Sequence, residues 1–395
     1  MFSDYLLIIP LFVAVGAGWW LGRFQLLQKQ SLESSRNDLS TEYFIGLDHL
    51  INENTDEAIE SFIRALEINS DTIPAHLALA KLLRRKGDVD RAVGIHQKLL
   101  ARPDLPPAVY LRIQMALARD YDALGLLDRA ENLLREIIQH ATDVEYRRQA
   151  LTLLIKLYEK EREWQYALDS ASQLLSIDLV DIQHELAHYC CELALVTQKA
   201  GDLSAAERHL RQALVYDKNC CRASLIRAQM QMAQSRWRAA IKSLKQVAQQ
   251  NALFVSETIA PLSECYRALK GEADFEAYLR HCLGRVPSTT VIIAYAEIIR
   301  QQQDVYAAGK FLTEELKKRP SVKGFNRLID MHIEYGSSST RQSLSVLRGL
   351  TGQLEQSKPI YQCNHCGFAG RLLHWQCPSC KQWGTTGPIQ GLEGE

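Results

Sequence analysis

The sequence predicts an all-α chain, an α-solenoid of helical repeats behind an apolar N-terminal segment and ahead of a small four-cysteine module. Three observations carry that reading. Apolar residues recur at three- and four-residue spacing from about Leu39 to Ile333, the period of helices packed on one face. A small residue returns in a matching local context through the same stretch. Two C-x-x-C pairs then stand ten residues apart near the end of the sequence.

The apolar segment runs from Tyr5 to Gly22 as YLLIIPLFVAVGAGWWLG and holds no charge. As a helix it would measure about 27 Å, enough to cross the hydrocarbon of a thin bilayer. Trp19 and Trp20 lie at its end, where amphipathic rings favour the headgroup interface, and Arg23, Lys29 and Arg36 follow. A cleaved signal peptide would place its positive charges before the run and a small-residue cleavage site after it. Here the charges come after, and the flank is Trp-Trp-Leu-Gly-Arg. The expectation is a single-pass transmembrane helix over 1–22 and a juxtamembrane linker over 23–38. The positive-inside rule puts the bulk of the chain on the cytoplasmic side.

The repeat signal is a small residue flanked by helix formers. It appears as DEAIESFIRAL around Ala58, DRAVGIHQKLL around Ala92 and DRAENLLREII around Ala130. It returns around Ala167, Ala206, Ala240 and Ala308. Successive intervals are 34, 38, 37, 39, 34 and 68 residues, the last leaving room for one degenerate copy around GEADFEAYLRHCL. This spacing resembles the tetratricopeptide repeat, a helix–turn–helix unit of about 34 residues. Gly46, Ala58, Phe62 and Ala65 fall on that pattern's small and aromatic positions, and Pro320 on its closing position. Gly87, Gly125 and Gly201 each sit five residues before a marker alanine, where the turn between two helices is due. Small side chains let paired helices approach, and stacking buries what no single unit can bury alone. The array is expected over 39–335 as about eight units, followed by a linker and short helix over 336–357.

Bulk composition bounds the function. A hydrophobic content of 47% and charged content of 23% are those of a folded chain. Lys+Arg and Asp+Glu both total 46, so the overall balance gives no support to nucleic-acid binding. Of the ten cysteines, Cys190–Cys191, Cys220–Cys221, Cys265 and Cys282 fall in helical stretches and are expected to be small buried hydrophobes in a reducing compartment. No phosphate-binding glycine loop or nucleophile elbow is present, and no catalytic residue is expected.

One motif pulls the other way. His184-Glu185-Leu186-Ala187-His188 matches H-E-x-x-H, which on a helix sets two imidazoles on one face for zinc with the glutamate as base. It leads into a repeat helix, where neighbouring units leave no enclosed cleft and no companion motif offers a third ligand. His184 and His188 are therefore expected to be partly exposed polar residues of the array.

The chain changes character at Lys358-Pro359, opening a module over 358–395. Cys363, Cys366, Cys377 and Cys380 form two knuckles able to present four thiolates tetrahedrally to one metal ion. Gly367 suits the unusual backbone angle after the first knuckle, and Pro378 stiffens the second. A module this small cannot hold itself together by core burial, so metal binding must supply folding energy. The knuckles resemble those of rubredoxin, with Tyr361, Phe368 and Trp375 expected as a small aromatic core. Iron and zinc both accept a tetrahedral S₄ set.

Taken in order, the apolar helix, the tetratricopeptide array and the ending CxxCGF…WxCPSCxxW…PIxGL resemble the lipopolysaccharide assembly protein B family of Gram-negative bacteria. The resemblance implies an inner-membrane adaptor. It would bring the LpxC deacetylase to the membrane protease FtsH, hold lipopolysaccharide synthesis down, and meet other lipopolysaccharide assembly and transport proteins. A homo-oligomer is compatible with it. Two other readings stay open on the residues alone: rubredoxin-like electron transfer on a repeat scaffold, and a general membrane-anchored assembly scaffold.

Overall fold

The computed structural model describes residues 41–68, 72–177, 181–286, 288–335 and 337–395. The expected membrane helix over 1–22 and its linker lie outside them. Among the described residues no helix is long and apolar enough to cross a membrane.

Helices succeed one another in pairs. They are α1 (41–51) and α2 (Thr55–Ile68), α3 (Ile73–Lys86) and α4 (Val89–Leu100), then α5 (Pro107–Ala123) and α6 (Leu127–His140). Next come α7 (Val144–Glu161) and α8 (Trp164–Ile177), α9 (Gln183–Lys199) and α10 (Leu203–Tyr216), α11 (Cys221–Ala233) and α12 (Trp237–Gln250). A short 3₁₀ turn, Ala252–Phe254, precedes α13 (Val255–Ala268) and α14 (Glu272–Arg285). Last are α15 (Thr289–Gln302) with α16 (Val305–Lys318), and α17 (Val322–Tyr335) with α18 (Ser338–Ser357). The array is thus a stack of helix–turn–helix repeats. Ser338–Ser357, expected to hold a linker and a short helix, forms a 20-residue helix against α17.

Two compact units divide the chain: one runs to Arg162 and includes Ser170–Asp178, and the other comprises Glu163–Asp169 and Leu179–Glu395. In the first, Phe62, Leu79, Leu82 and Leu83 pack around Ala58, Ala75 and Ala92. In the second, Leu244, Ile259, Leu262 and Leu279 form the core around Ala228 and Ala240, and Leu312 and Met331 continue it around Ala296 and Ala308.

The marker alanines are the tightest points of this packing. Ala58, Ala92, Ala130, Ala167, Ala206, Ala240 and Ala308 are all 0% exposed, so nothing larger than a methyl fits where they lie. Gly46 shows the same constraint from the facing helix, because a β-carbon there would stand 3.0 Å from the Phe62 ring.

The turns repeat as faithfully as the alanines. Glu53, Gly87, Gly125, Arg162, Gly201, Ser235 and Lys270 all have positive φ, each between the two helices of a unit. Only three of the seven are glycine, so sequence inspection finds fewer than half of these turns. Five residues past Lys270 stands Phe275 in place of alanine, buried at 8% exposure in α14. That substitution makes the copy degenerate, and the unit expected around GEADFEAYLRHCL folds as the pair α13–α14. Several second helices start on a side-chain cap, with Asp202 accepting from the Ala205 amide at 2.8 Å and Asp304 from Ala307 at 2.7 Å.

Residues 358–395 form a small ribbon. Strands β1 (Tyr361–Cys363), β2 (Ala369–Gly370) and β3 (Thr386–Pro388) make an antiparallel sheet in the order β2-β1-β3.

Overpacking a marker position tests the alanine constraint. Ala206→Leu should lower unfolding stability by about 1–3 kcal/mol through displaced helices. Urea denaturation followed by helical circular dichroism reads the loss, and an unchanged midpoint would contradict the close-approach account.

Candidate metal centre and its dock on the repeats

Each knuckle is a five-residue loop with the same backbone plan. In the first, the Gly367 amide donates to the Cys363 carbonyl at 2.9 Å, and the Cys363 amide to the Phe368 carbonyl at 2.7 Å. In the second, the Lys381 amide donates to the Cys377 carbonyl and the Cys377 amide to the Gln382 carbonyl, both at 2.9 Å. Gly367 and Lys381 both take the left-handed conformation, with φ of 77° and 59°. The glycine signal after the first knuckle was legible; the equivalent role of Lys381 was not.

The two loops bring Cys363, Cys366, Cys377 and Cys380 together, with all four sulfurs within 4.8 Å of one another. Across the loops Cys363 and Cys380 are 3.8 Å apart and Cys366 and Cys377 3.6 Å. A tetrahedral ion bonded to sulfur at ~2.3 Å requires edges of about 3.8 Å, so the donor set fits zinc or iron. Burial alone would raise the Cys363 thiol, but the Thr385 hydroxyl and the amides of Cys366 and His365 outweigh it and bring it to about 6. The Phe368 amide likewise draws Cys366 down. At Cys380 the Gln382 amide works the same way, yet burial and the three neighbouring cysteines hold that thiol at about 11. Four sulfurs at this spacing cannot all ionise unless a cation joins them. His365 and His374 stand outside the sulfur cluster.

Of the three aromatics expected as the ribbon's core, Trp375 faces the array. Its indole stacks on Phe254 with centroids 5.3 Å apart and planes 17° apart. Leu373 and Trp375 together pack against Cys221, Val247 and Phe254. Tyr361 also reaches outward, its hydroxyl donating to Glu257 at 2.8 Å. The most buried large ring of the ribbon is Trp383, at 6% exposure, which sequence reasoning passed over. It stacks on His188 at 5.1 Å and meets Trp164 and Tyr189 edge-on at 6.0 Å.

Between these two indoles lies Arg222, the second residue of α11 and 5% exposed. Its guanidinium carbon is 6.0 Å from the Trp375 centroid and 5.7 Å from that of Trp383. Glu192 pairs with it at 2.6 Å, while Nε and Nη1 are buried with no hydrogen-bond partner. The indole faces compensate for water the cation has lost. Further along the ribbon, the Val322 amide donates to the Leu392 carbonyl at 2.9 Å, and Glu395 accepts from the Thr290 amide at 2.9 Å and pairs with Lys323 at 2.5 Å. Arg222, Glu257, Thr290 and Lys323 all belong to the first turn of α11, α13, α15 and α17. The ribbon therefore lies along a row of first-helix N-termini.

The H-E-x-x-H residues are part of this dock. His184 is exposed as expected, with Nδ1 3.0 Å from Asp217. His188 is not: at 2% exposure it is buried beneath Trp383, which corrects the expectation of a partly exposed side chain. The ribbon supplies the cover, and one sequence cannot show it. No third ligand joins the two imidazoles among the described residues. Instead Gly384 rests on them, so close that a β-carbon there would lie 2.2 Å from His184 Nε2. The six cysteines of the array are all buried, as expected of small hydrophobes.

Two predictions follow from this geometry. Trp383→Ala removes the ring shared by three aromatic partners and the Arg222 cation, and should destabilise the dock by about 3–5 kcal/mol while the knuckles keep their metal. Limited proteolysis near Lys358 alongside metal analysis reads both; unchanged protection would refute the docking role. The second concerns His188, which burial, then Arg222 and His184, hold well below 6.5. The unfolded chain takes up a proton below pH 6.5 that the folded chain refuses, so stability is complete above that pH and falls as the medium acidifies. His188→Gln should flatten the stability slope between about pH 5 and 6.5 in urea titrations.

Residues 361–388 match the family model described as the rubredoxin metal binding domain, and 75–108 and 191–254 match tetratricopeptide repeat models. Among solved structures, the crystal structure of MamA protein overlaps 46% of this chain and 92% of its own at 16% identity and a TM-score of 0.36. Lipopolysaccharide assembly protein B of Haemophilus influenzae (strain Rd) is 32% identical over 400 residues, covering 98% of this chain and 99% of that protein. Its counterpart in Escherichia coli (strain K12) is 35% identical over 390 residues, again 98% and 99% of the two chains. With these relatives matched nearly end to end, the chain belongs to the lipopolysaccharide assembly protein B family.

Proposed function

We propose that this chain is a non-catalytic adaptor of lipopolysaccharide assembly, tethered to the inner membrane by its N-terminal segment. Cys363, Cys366, Cys377 and Cys380 hold one structural zinc or iron ion. The observation that carries the reading is the Arg222 clamp, which makes the ribbon part of the repeat surface. A freely swinging electron carrier would need no such seat; here two indoles are committed to the array. The metal supplies the folding energy of a module too small to fold by burial. The folded ribbon then adds its own surface to that of α9, α11, α13, α15 and α17, and clients read the two together.

The relatives' name supports a role in lipopolysaccharide assembly, and the family resemblance supports the finer reading. In it the adaptor presents the LpxC deacetylase to FtsH for degradation and contacts other envelope assembly proteins.

Cys363→Ser tests this in a strain whose only copy carries the change. Removing one thiolate forfeits most of a binding energy of roughly 10–16 kcal/mol, so the ribbon should unfold while the array keeps its helices. Metal content, circular dichroism and deacetylase level are measured together. The expected result is a metal-free module, intact helicity and deacetylase accumulation of several-fold. Normal deacetylase turnover beside a metal-free ribbon would overturn the proposal. Electron transfer would be favoured instead if zinc-loaded protein, folded and docked, lost function that iron restores.

A further inference from the structure

Beneath the dock lies a thiol pair that neither the metal centre nor the proposed adaptor role uses. Cys191 on α9 and Cys220 at the N-cap of α11 face each other with sulfurs 4.0 Å apart. Both are buried, at 0% and 3% exposure. The two sulfurs belong to different repeats, and each adjoins a side chain that receives the ribbon. Cys191 is one turn beyond His188, and Cys220 is two residues before Arg222. Cys221, between Cys220 and Arg222, packs directly under Leu373 and Trp375.

We propose that Cys191 and Cys220 are an oxidisable dithiol, converted to a disulfide by peroxide-class oxidants, and that the ribbon seated over Cys221 and Arg222 governs how fast oxidant reaches it. The positions assign the roles. Cys220 occupies the N-cap position of α11, where backbone amides favour a thiolate. The Cys191 thiol donates to it and, with the Ala223 amide, outweighs burial to draw it below the ordinary thiol range. Burial pushes Cys191 the other way, and pushes Cys190 and Cys221 up to about 12. One nucleophile and one protonated partner result.

The chemistry balances without further components. The Cys220 thiolate attacks a peroxide oxygen, the O–O bond breaks, and hydroxide leaves a sulfenic acid behind. Cys191 sulfur then displaces that oxygen, forming the S–S bond as the S–O bond breaks. Two thiols and one hydrogen peroxide give one disulfide and two waters, with two electrons passing from sulfur to oxygen. The bond would join α9 to α11 beside His188 and Arg222, fixing the spacing of the two side chains that grip Trp383.

The test uses the full-length, metal-loaded protein treated with hydrogen peroxide, alkylated, digested without reduction and mapped by mass spectrometry. A Cys191–Cys220 cross-linked peptide is expected, absent in Cys220→Ser and retained in Cys190→Ser. Gly384→Ala, which drives a β-carbon into His184, lifts the ribbon and should speed cross-linking by roughly tenfold, as local opening exposes a protected site. Circular dichroism confirms that each variant keeps its helices. Failure of the cross-link to form in Gly384→Ala with its ribbon proteolytically released would overturn the dithiol. Equal rates in that variant and the unaltered protein would overturn the gating.

Discussion

A guanidinium removed from water costs several kcal/mol unless other groups replace its hydration, and Arg222 meets that cost with one carboxylate and two aromatic faces. Glu192 satisfies one edge of the cation, and the indoles of Trp375 and Trp383 cover the rest. All three partners are needed together. Remove the ribbon and Arg222 keeps only its ion pair, while Phe254 and His188 lose the rings stacked on them and Tyr189 loses its edge-on contact. Cation–π and aromatic contacts contribute about 0.5–2 kcal/mol each, so a cluster of this size holds a small module without any covalent tie.

The ribbon divides its labour in a way that follows from its size. A module of fewer than forty residues has too few large side chains to build a core and also present a binding face. The knuckles take over the first task. Their amide-to-carbonyl pattern and four sulfurs fix the backbone, which frees Trp375 and Trp383 to contact the array. Shape and adhesion thus rest on different residues. Loss of a cysteine and loss of an indole should have different consequences for the same surface, because one abolishes the module's fold and the other its seat.

What could be read in advance depended on whether a feature is local in sequence. The marker alanines were legible because steric exclusion acts identically in every unit, and the paired knuckles because four ligands must come at fixed short spacing. Turn residues were legible in fewer than half the units. Gly87, Gly125 and Gly201 announce the left-handed turn, but Glu53, Arg162, Ser235 and Lys270 adopt it under tertiary constraint with no signal of their own. Phe275 blurred one unit by putting an aromatic ring where its neighbours have a methyl group, so that only the double-length interval pointed to it. The dock was illegible. Trp164, His188, Arg222 and Phe254 lie on four separate elements, and their only common property is proximity to the ribbon. A second knuckle tryptophan outside the expected aromatic core, Trp383, was the one available hint.

His184 and His188 show how such a motif acquires its meaning. A helix puts residues four apart on one face whatever their purpose, so H-E-x-x-H guarantees two neighbouring imidazoles and nothing more. A metalloprotease sets a third ligand and a substrate cleft opposite that face. This fold sets an indole and a glycine there. Gly384 matters because it lacks a side chain: its backbone settles against both rings where any β-carbon would collide. With burial and the positive Arg222 holding His188 neutral, the ring serves as a flat apolar plate for Trp383, and hydration of a charged imidazole is never lost at the interface. Neutrality is therefore a condition of docking, and the same burial that removes His188 from solvent enforces it.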